Sequence, residues 1–376
     1  MNATLKLLPL AVGAMIACLP AARAAQDNVS ELSNFRQTGN SQPAETIAQT
    51  GKTADALREN LKQIKVPPGF KIELYAVVPE ARHMAIEPST GVVFVGTRKN
   101  RVLGFPAAQF FGEGGPDVAA AVVLAQGKLI PTQFESFNHG ARACRIGPDK
   151  KLYIALGQPW NVPPKDKLAE LDRNGLAGII RVDQDGKNRE VYAHGVRNSV
   201  GLDFNPKDKT LWFTDNQVDG MGDDTPPGEL DRATKAGENF GFPWYGGGKV
   251  RTVEYKDQNP PAGVVYPQVE FAAHAADLGM SFYSGKSFPQ KYQGGIFVAE
   301  HGSWNRTKPI GARVMYVPVK DDGTAGEAEV FAEGWLTQSG EYMGRPVDVQ
   351  MLQDGSLLVS DDYAGAIYRI SYSGAK

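Results

Sequence analysis

Short hydrophobic runs separated by turns recur along the chain from Pro67 onward. In each unit an alternating strand leads into a turn containing Pro, Asp or Gly, and a more continuous apolar strand follows. Five units of this kind are visible, with second strands centred on Phe94, Tyr153, Trp212, Phe297 and Leu358. Short strands with regular turn signals predict an all-β fold, and their repetition is typical of a β-propeller.

The spacing of these units sets the expected number of blades. The interval between Trp212 and Phe297 is longer than the others, so the region from Gly228 to Phe271 holds either a degenerate blade or a large loop. We predict a six-bladed β-propeller. Because a ring of blades must close, the segment GFKIELYAV at residues 69–77 is expected to complete the last blade.

Composition agrees with this fold and excludes one class of function. The chain has 376 residues, of which 42% are hydrophobic, and it contains 42 Gly and 25 Pro, which favours strands and turns over helices. Its net charge of -2 gives no electrostatic support for binding to nucleic acid.

The N-terminus has the features of an export signal. Lys6 precedes a short apolar stretch, and Ala22-Arg23-Ala24 offers a small-residue cleavage site. The stretch is too short for a transmembrane anchor, so residues 1–24 predict a signal peptide and a periplasmic protein. Cys18 is a weaker, alternative site of lipid attachment.

The mature chain is expected to have two parts. Residues 25–65 form a flexible, mostly polar leader, in which apolar residues at helical spacing predict one short helix at 53–65, packed on the propeller rim. Residues 66–376 form the propeller. Cys144 is the only cysteine after residue 24, so no internal disulfide is expected.

Basic side chains stand at the same point of three units. Each lies a similar distance ahead of the second-strand centre of its unit: His139, Arg197 and Arg345. In a propeller this point is the start of the innermost strand, so the three side chains should converge on one mouth of the central channel. A neutral imidazole there can take a proton from a hydroxyl group, and a guanidinium suits a carboxylate or an oxyanion.

Structural roles remain the alternative at these positions. His139 could hydrogen-bond a neighbouring blade, and Arg197 could pair with an acid there. Further basic residues are nevertheless expected at the same mouth, namely His274, His301 and Arg306. So many cationic groups in one concave site repel each other without a partner, which indicates an anionic ligand with several carboxylates.

The loop from Asp215 to Gly228 is the candidate metal site. It has four Asp among Gly and Pro, and irregular backbone rich in oxygen suits a hard cation such as calcium. The spacing is not that of an EF-hand loop, and a solvated acidic loop is the alternative.

Several motifs together carry a family resemblance. NHGAR, HGVRNSVGLDF, DDTPPGEL, GENFGFPW, AEHGSWNR and GRPVDV occur in this order between about residue 65 and the C-terminus. This order resembles the glucose/sorbosone dehydrogenase family of soluble six-bladed propellers, which use pyrroloquinoline quinone (PQQ). AEHGSWNR and DDTPPGEL resemble the sorbosone dehydrogenase branch more than the soluble glucose dehydrogenases.

The resemblance implies a tricarboxylate quinone at the channel mouth, with calcium polarising its reactive carbonyl. By position, His139 matches the catalytic base of the family, and Arg197 and Asn198 match its quinone contacts. Arg345 matches an Arg that binds a cofactor carboxylate. The remaining implied cofactor ligands are His274, with His301 or Arg306 standing where the glucose enzymes have a Lys.

Calcium ligands are implied less directly. Gln217 and Val218 align with the residues whose carbonyls bind calcium in the glucose enzymes, and Asp224 belongs to the acidic loop that follows. These positions depart from the Gly-Pro pair of the glucose enzymes.

The expected function is PQQ-dependent oxidation of an aldose or a sugar aldehyde, such as sorbosone, to a lactone or acid in the periplasm. His139 would act as base and Arg197 would stabilise the charge that develops on the quinone. No Cys-x-x-Cys-His run is present, so electrons would pass to a separate quinone or cytochrome. The alternatives are a calcium-dependent propeller lactonase and a non-catalytic propeller that binds a sugar or a protein.

Overall fold

The structure is a computed structural model that describes residues 47–98, 102–105 and 129–374, and within these ranges the chain is mainly β-sheet. The predicted signal peptide and most of the predicted leader lie outside the described residues. Among the helices that the structure describes, none has the length and apolar character needed to cross a membrane.

Strands account for most of the regular structure. In the first part of the chain they are β1 (Phe70–Val77), β2 (Ala81–Ile86), β3 (Val93–Thr97), β4 (Val102–Phe105), β5 (Cys144–Ile146), β6 (Leu152–Leu156), β7 (Gly178–Val182), β8 (Glu190–His194), β9 (Leu202–Phe204) and β10 (Leu211–Asp215). The later strands are β11 (Gly228–Ala233), β12 (Glu238–Asn239), β13 (Val269–Phe271), β14 (Asp277–Phe282), β15 (Ile296–Glu300), β16 (Arg313–Val317), β17 (Glu329–Glu333), β18 (Pro346–Met351), β19 (Leu357–Asp361) and β20 (Ala366–Tyr372). In the described ranges the α-helices are α1 (Lys52–Asn60) and α2 (Leu168–Arg173).

These strands form five sheets in the described ranges. In order along the chain, the first sheet is β2-β3-β4, the second β5-β6-β7-β8-β12, the third β9-β10-β11-β13, the fourth β14-β15-β16-β17 and the fifth β18-β19-β20-β1. Apart from the parallel pair β8–β12, neighbouring strands are antiparallel. The predicted count of six blades stays a prediction.

Each predicted second-strand centre lies in the second strand of a sheet. The five centres fall in β3, β6, β10, β15 and β19. Trp212, Phe297 and Leu358 are fully buried. A strand in the middle of a sheet that packs on both faces needs apolar side chains on both, which is why these runs are continuous rather than alternating.

The long interval between the third and fourth units contains strands that belong to the second and third sheets. Of the region from Gly228 to Phe271, β11 and β13 belong to the third sheet, and β12 pairs with β8 of the second. The region therefore forms no sheet of its own, and the extra length is loop. The alternative of a degenerate blade at this place is wrong.

The fifth sheet is completed by the N-terminal strand, as predicted. β1 pairs with β20 along its length, with Phe70 opposite Tyr372 and Val77 opposite Ala366. The predicted leader helix corresponds to α1, which is followed by a 3-10 turn at Leu61–Gln63. Ala54 of this helix is buried in a hydrophobic cluster that also contains residues of the fourth and fifth sheets, so α1 packs against these sheets.

Neighbouring sheets meet through their first strands. β5 contacts β9, β9 contacts β14, β14 contacts β18, and β18 contacts β2. Aromatic side chains fill the space between sheets, as where Trp212 of the third sheet meets Phe282 of the fourth edge to face. Because the first strands lie side by side, the loops that precede them are brought together.

Candidate active site

A cavity of about 580 Å³ lies where the loops before β5, β9 and β14 come together. Its size is that of a typical small-molecule site. Four of the predicted site residues line it, namely His139, Arg197, Asn198 and His274, together with the predicted metal residue Gln217. Of the three residues at the same repeat position, His139 and Arg197 line this cavity and Arg345 does not.

The backbone conformation of His139 and a hydrogen bond of its ring fix the orientation of the side chain. Its φ is 51°, and its Nδ1 lies 2.7 Å from the carbonyl oxygen of Gln158. The carbonyl can only accept, so Nδ1 carries the proton and Nε2 is left as a proton acceptor when the ring is neutral. Burial, and secondarily the charge of Arg197, lower the pKa of His139 to about 4. The imidazole is therefore neutral at physiological pH.

Gly157 makes room for this histidine. A Cβ at Gly157 would lie 2.6 Å from both the Cβ and the carbonyl oxygen of His139. No side chain fits at that distance, so the bare backbone after β6 is a condition for the position of His139.

Arg197 is almost fully buried and its guanidinium is engaged by the protein. Nε donates to the carbonyl of Asn161 at 3.0 Å, and Nη1 donates to the carbonyl of Asn216 at 3.0 Å. Nη2 donates to the side-chain oxygen of Asn161 and forms an ion pair with Asp219 at 3.0 Å. Arg197 thus joins the loops around the cavity, and its side-chain hydrogen bonds go to groups of the protein.

The cavity wall carries an unusual set of buried oxygen atoms. Four of them have no hydrogen-bond partner: Asn198 Oδ1, Gln217 Oε1, Asp277 Oδ1 and Asn305 Oδ1. Buried polar atoms without a partner are costly and rare in native proteins. Since all four are acceptors, the cavity fits a ligand that offers several hydrogen-bond donors, or a cation.

A buried acidic cluster, formed by Asp215, Glu229 and Asp231, adjoins the cavity through Gln217. One oxygen of each carboxyl group lies within 4.8 Å of the others. The amide nitrogen of Gln217 contacts Glu229 and lies 2.9 Å from Asp215. Burial raises the pKa of all three acids, and neighbouring carboxylates add to the shift of Glu229 and Asp231.

The acidic cluster fits a hard cation. Both carboxylate oxygens of Asp231 are buried and have no hydrogen-bond partner. A calcium ion would pair with these oxygens and remove the repulsion among the carboxylates. The sequence contains a signal for this cluster. Glu229 and Asp231 alternate in β11, and Glu229 lies opposite Asp215 at the end of β10.

The predicted metal residues lie at different distances from the cluster. Gln217 contacts it, while the backbone nitrogen of the buried Val218 bonds to the carbonyl of Gly246. Asp224 is exposed and forms an ion pair with Arg306 at 2.9 Å. The structure therefore brings Gln217, but not Asp224, to the acidic cluster.

The other predicted cofactor ligands hold loops together. Nε2 of His274, which lines the cavity, lies 2.8 Å from the carbonyl oxygen of Gly222. Arg306 donates to the carbonyl of Asp223 in the acidic loop. His301 Nε2 lies 2.8 Å from a carboxylate oxygen of Asp362. Arg306 and His301 are not among the residues that line the cavity.

Arg345 also lies outside the cavity lining, on the loop before β18. Its Nε donates to the carbonyl of His301 at 3.0 Å, and Nη2 donates to the carbonyls of Gly302 and Ser303. The guanidinium also stacks over the ring of Tyr342 at 4.8 Å from its centre. In this conformation it fixes the turn after β15.

Replacing Arg345 by Ala is expected to lower the free energy of unfolding by about 1–3 kcal/mol, because three carbonyls lose a charged donor. Urea unfolding of the apoprotein measures this effect, and unchanged stability would contradict it. The role implied by the family resemblance has a separate readout. If Arg345 also binds a cofactor carboxylate, titration with PQQ should reveal a loss of affinity of about tenfold to a hundredfold.

Some residues of the cavity were not identified from the sequence. Arg98 lines it and forms an ion pair with Asp362 at 3.0 Å. Phe137 and Trp304 stand at its edge with exposed side chains, the latter 77% exposed. Exposed aromatic rings beside a polar cavity suit contact with the apolar face of a ligand. No repeat position marks these residues, so the pattern of the sequence could not single them out.

Part of the chain is similar in sequence to known proteins. A family model described as TrAA12-like matches residues 232–373. An uncharacterized protein of Borreliella burgdorferi is 36% identical over 249 residues, which are 65% of this chain and 63% of that protein. The aldose sugar dehydrogenase YliI of Escherichia coli is 27% identical over 240 residues, 58% of this chain and 56% of that protein. The chain spans less than two thirds of the length of both relatives.

Solved structures share the fold. The holo form of the pyranose dehydrogenase PQQ domain from Coprinopsis cinerea has a TM-score of 0.62 at 18% identity, over 82% of this chain and 97% of that chain. The calcium structure of the Trichoderma reesei carbohydrate-active enzyme of family AA12 has a TM-score of 0.62 at 17% identity, over 83% of this chain and 97% of that chain. The chain thus has a fold similar to that of these two proteins, and residues 232–373 match the TrAA12-like family model.

Proposed function

We propose that this protein is a PQQ-dependent sugar dehydrogenase that oxidises an aldose or a sugar aldehyde to a lactone or acid. The observation that carries the proposal is the set of four unpartnered acceptor oxygens in one cavity beside a neutral histidine. A polyhydroxylated substrate offers several donors to such a wall. The aldose sugar dehydrogenase among the relatives, and the fold shared with a pyranose dehydrogenase domain, support the same reaction class.

His139 is proposed to hold the proton that leaves the substrate hydroxyl. Its Nδ1 is fixed on the carbonyl of Gln158, so Nε2 is the atom that accepts the proton. Burial lowers the pKa of the ring, so the ring is neutral and Nε2 can accept a proton. When bound, PQQ supplies the electron-accepting carbonyl. Arg197 contributes positive potential on the same side, and Asn198 supplies polar contacts.

The residues around the cavity fit the proposed cofactor in charge. Arg98 and Arg197 line the cavity and carry guanidinium groups that suit carboxylates of the cofactor, and Asp219 in the same wall forms an ion pair with Arg197. His301, Arg306 and Arg345 are proposed to act behind this wall, by fixing the loops that carry it. Direct contact of these three with PQQ, as the family resemblance implies, would require the loops to rearrange.

Calcium is proposed as the second cofactor. The acidic cluster is the favoured site because Asp231 has two unpaired buried oxygens there, and Gln217 connects the cluster with the cavity. Val218 and Asp224 are proposed contributors to the alternative site, in which the loop between β10 and β11 binds the metal. The calcium structure of the Trichoderma reesei enzyme supports this choice of metal for the fold.

The remaining parts of the proposal concern architecture and location. We propose a six-bladed propeller, export through the signal peptide at residues 1–24, and action in the periplasm. Electrons would pass to a separate quinone or cytochrome. The sorbosone branch is favoured by the motifs AEHGSWNR and DDTPPGEL alone.

One observation bears on the lactonase alternative. A hydrolytic metal must be reached by substrate and water, but the acidic cluster is almost fully buried, with Asp231 only 1% exposed. This burial favours a metal that supports the site over one that binds the substrate. A single assay separates the three functions. Apoprotein with PQQ, calcium and a panel of aldoses should reduce a redox dye, and lactone hydrolysis or sugar binding without dye reduction would contradict the proposal.

The protonation of His139 can be tested in the apoprotein. We expect its ring resonances in NMR to titrate near pH 4, with the signal assigned by its absence in His139→Ala. The unfolded chain takes up this proton near pH 6.5, so the free energy of unfolding should fall as the pH drops from 6.5 towards 4. Titration near 6.5 in the folded protein would contradict the proposed environment.

A further inference from the structure

Ionisable side chains form a row across the fourth sheet. Asp277 of β14 lies opposite Glu300 of β15, Glu300 lies opposite Arg313 of β16, and Arg313 lies opposite Glu333 of β17. Directly opposed residues of antiparallel strands project on the same face of the sheet. The row therefore leads from the wall of the cavity, at Asp277, to the outermost strand of the sheet.

Asp277 is the inner end of this row. It is 1% exposed, it lines the cavity, and its Oδ1 has no hydrogen-bond partner. A Cβ at Gly228 would lie 1.9 Å from Oδ2 of Asp277. The missing side chain at Gly228, the first residue of β11, therefore leaves the space that the carboxyl group of Asp277 occupies. A carboxyl group in this position needs either a proton or a counter-ion.

The nearest cation is already engaged by the second carboxyl group of the row. Arg313 Nε lies 2.5 Å from Oε2 of the fully buried Glu300, and Nη2 lies 3.3 Å from Oε1. The groups that act electrostatically on Asp277 are Glu300 and Arg313, and the negative charge of Glu300 adds to burial in raising its pKa well above the usual range. Glu300 therefore forms the ion pair with Arg313, and Asp277 is left without a paired cation in the described part of the chain.

We infer that Asp277 is a neutral carboxylic acid in the cavity wall that hydrogen-bonds a hydroxyl group of the bound substrate. The Glu300–Arg313 ion pair behind it keeps it protonated. A neutral acid can accept a hydrogen bond on one oxygen and donate from the other, so it can bind a hydroxyl without introducing a charge beside an anionic cofactor. The identity of the ligand in this inference rests on the proposed function.

The protonation state is tested by infrared spectroscopy of the full chain at neutral pH, without any ligand. The carbonyl stretch of a protonated carboxyl group should be weaker in Asp277→Asn than in the wild type. Glu300→Gln should weaken the same band, because Asp277 would then ionise beside Arg313. Asp321→Asn removes an exposed carboxylate of the neighbouring turn and is the matched control. No spectral difference between Asp277→Asn and the wild type would overturn the inference.

The contact with substrate is tested by steady-state kinetics with PQQ, calcium and D-glucose. Asp277→Ala should raise KM by about tenfold to a hundredfold with a smaller change in kcat. Asp277→Asn keeps a neutral acceptor and donor of the same shape, so it should raise KM less than Asp277→Ala does. Circular dichroism of both variants controls for folding.

The outcomes separate this inference from the proposed function. Equal KM values for Asp277→Ala and the wild type would overturn the contact, and a KM for Asp277→Asn as high as that of Asp277→Ala would overturn the neutral state of Asp277. A wild-type protein that is inactive with every aldose would overturn the proposed function and the contact with a sugar hydroxyl. The infrared result decides the protonation of Asp277 in every case.

Discussion

Replacing His139 by Ala is expected to lower turnover of an aldose by about a hundredfold to ten-thousandfold, because the variant loses the group that accepts the substrate proton. The ring of His139 is fixed through Nδ1 on Gln158, which leaves Nε2 as the acceptor in the cavity. Affinity for PQQ should change little. Steady-state dye reduction at saturating PQQ and calcium measures the effect.

A second histidine offers a matched control for this variant. His194 lies in β8, where Nδ1 is 2.6 Å from a carboxylate oxygen of Asp172, and it does not line the cavity. His194→Ala should keep turnover close to that of the wild type. Turnover near the wild-type value in His139→Ala would remove His139 from the role of base.

Removing calcium is expected to abolish dye reduction and to lower the melting temperature. Asp215, Glu229 and Asp231 repel one another when they are ionised and buried within 4.8 Å. A cation that binds only the folded protein offsets this repulsion and stabilises the fold. Calcium added back with PQQ should restore activity better than magnesium, since Mg²⁺ demands a tighter octahedral geometry and loses water reluctantly.

Two variants distinguish the acidic cluster from the acidic loop. Asp231→Asn should remove most of the rise in melting temperature caused by calcium, because both oxygens of Asp231 are unpaired and buried. Asp224→Asn should keep that rise if the metal lies in the cluster and lose it if the loop binds the metal. A melting temperature and an activity that withstand exhaustive chelation would refute the calcium site altogether.

Much of the strand pattern could be predicted from the sequence. Continuous apolar runs mark strands that are buried on both faces, which placed Tyr153, Trp212 and Leu358 in the second strands of their sheets. The long interval after Trp212 could not be interpreted in the same way. Its residues pair with strands of two different sheets, and β12 joins β8 in parallel. Such pairing depends on partners that are distant in sequence.

The candidate site was predicted in part, for a similar reason. Equal position in the repeat identified His139, Arg197 and Asn198, which line one cavity. Arg345 occupies the same position in the last unit, yet its guanidinium donates to three carbonyls of the loop after β15. Position in a repeat fixes where a backbone lies, but the hydrogen bonds of a long side chain depend on which carbonyls neighbouring loops present.

The sequence by itself determined the all-β character, the strands in the middle of each sheet and the strand that completes the fifth sheet, because these follow from local apolar pattern and from the need to pair every edge. Only the tertiary structure decided which polar atoms are left without partners. Asp231 and Asp277 read as ordinary acids in the sequence, and they became candidate ligands for a cation and a hydroxyl group only through burial away from every donor. Burial and hydrogen bonding depend on residues from several sheets, so a local sequence pattern cannot predict them.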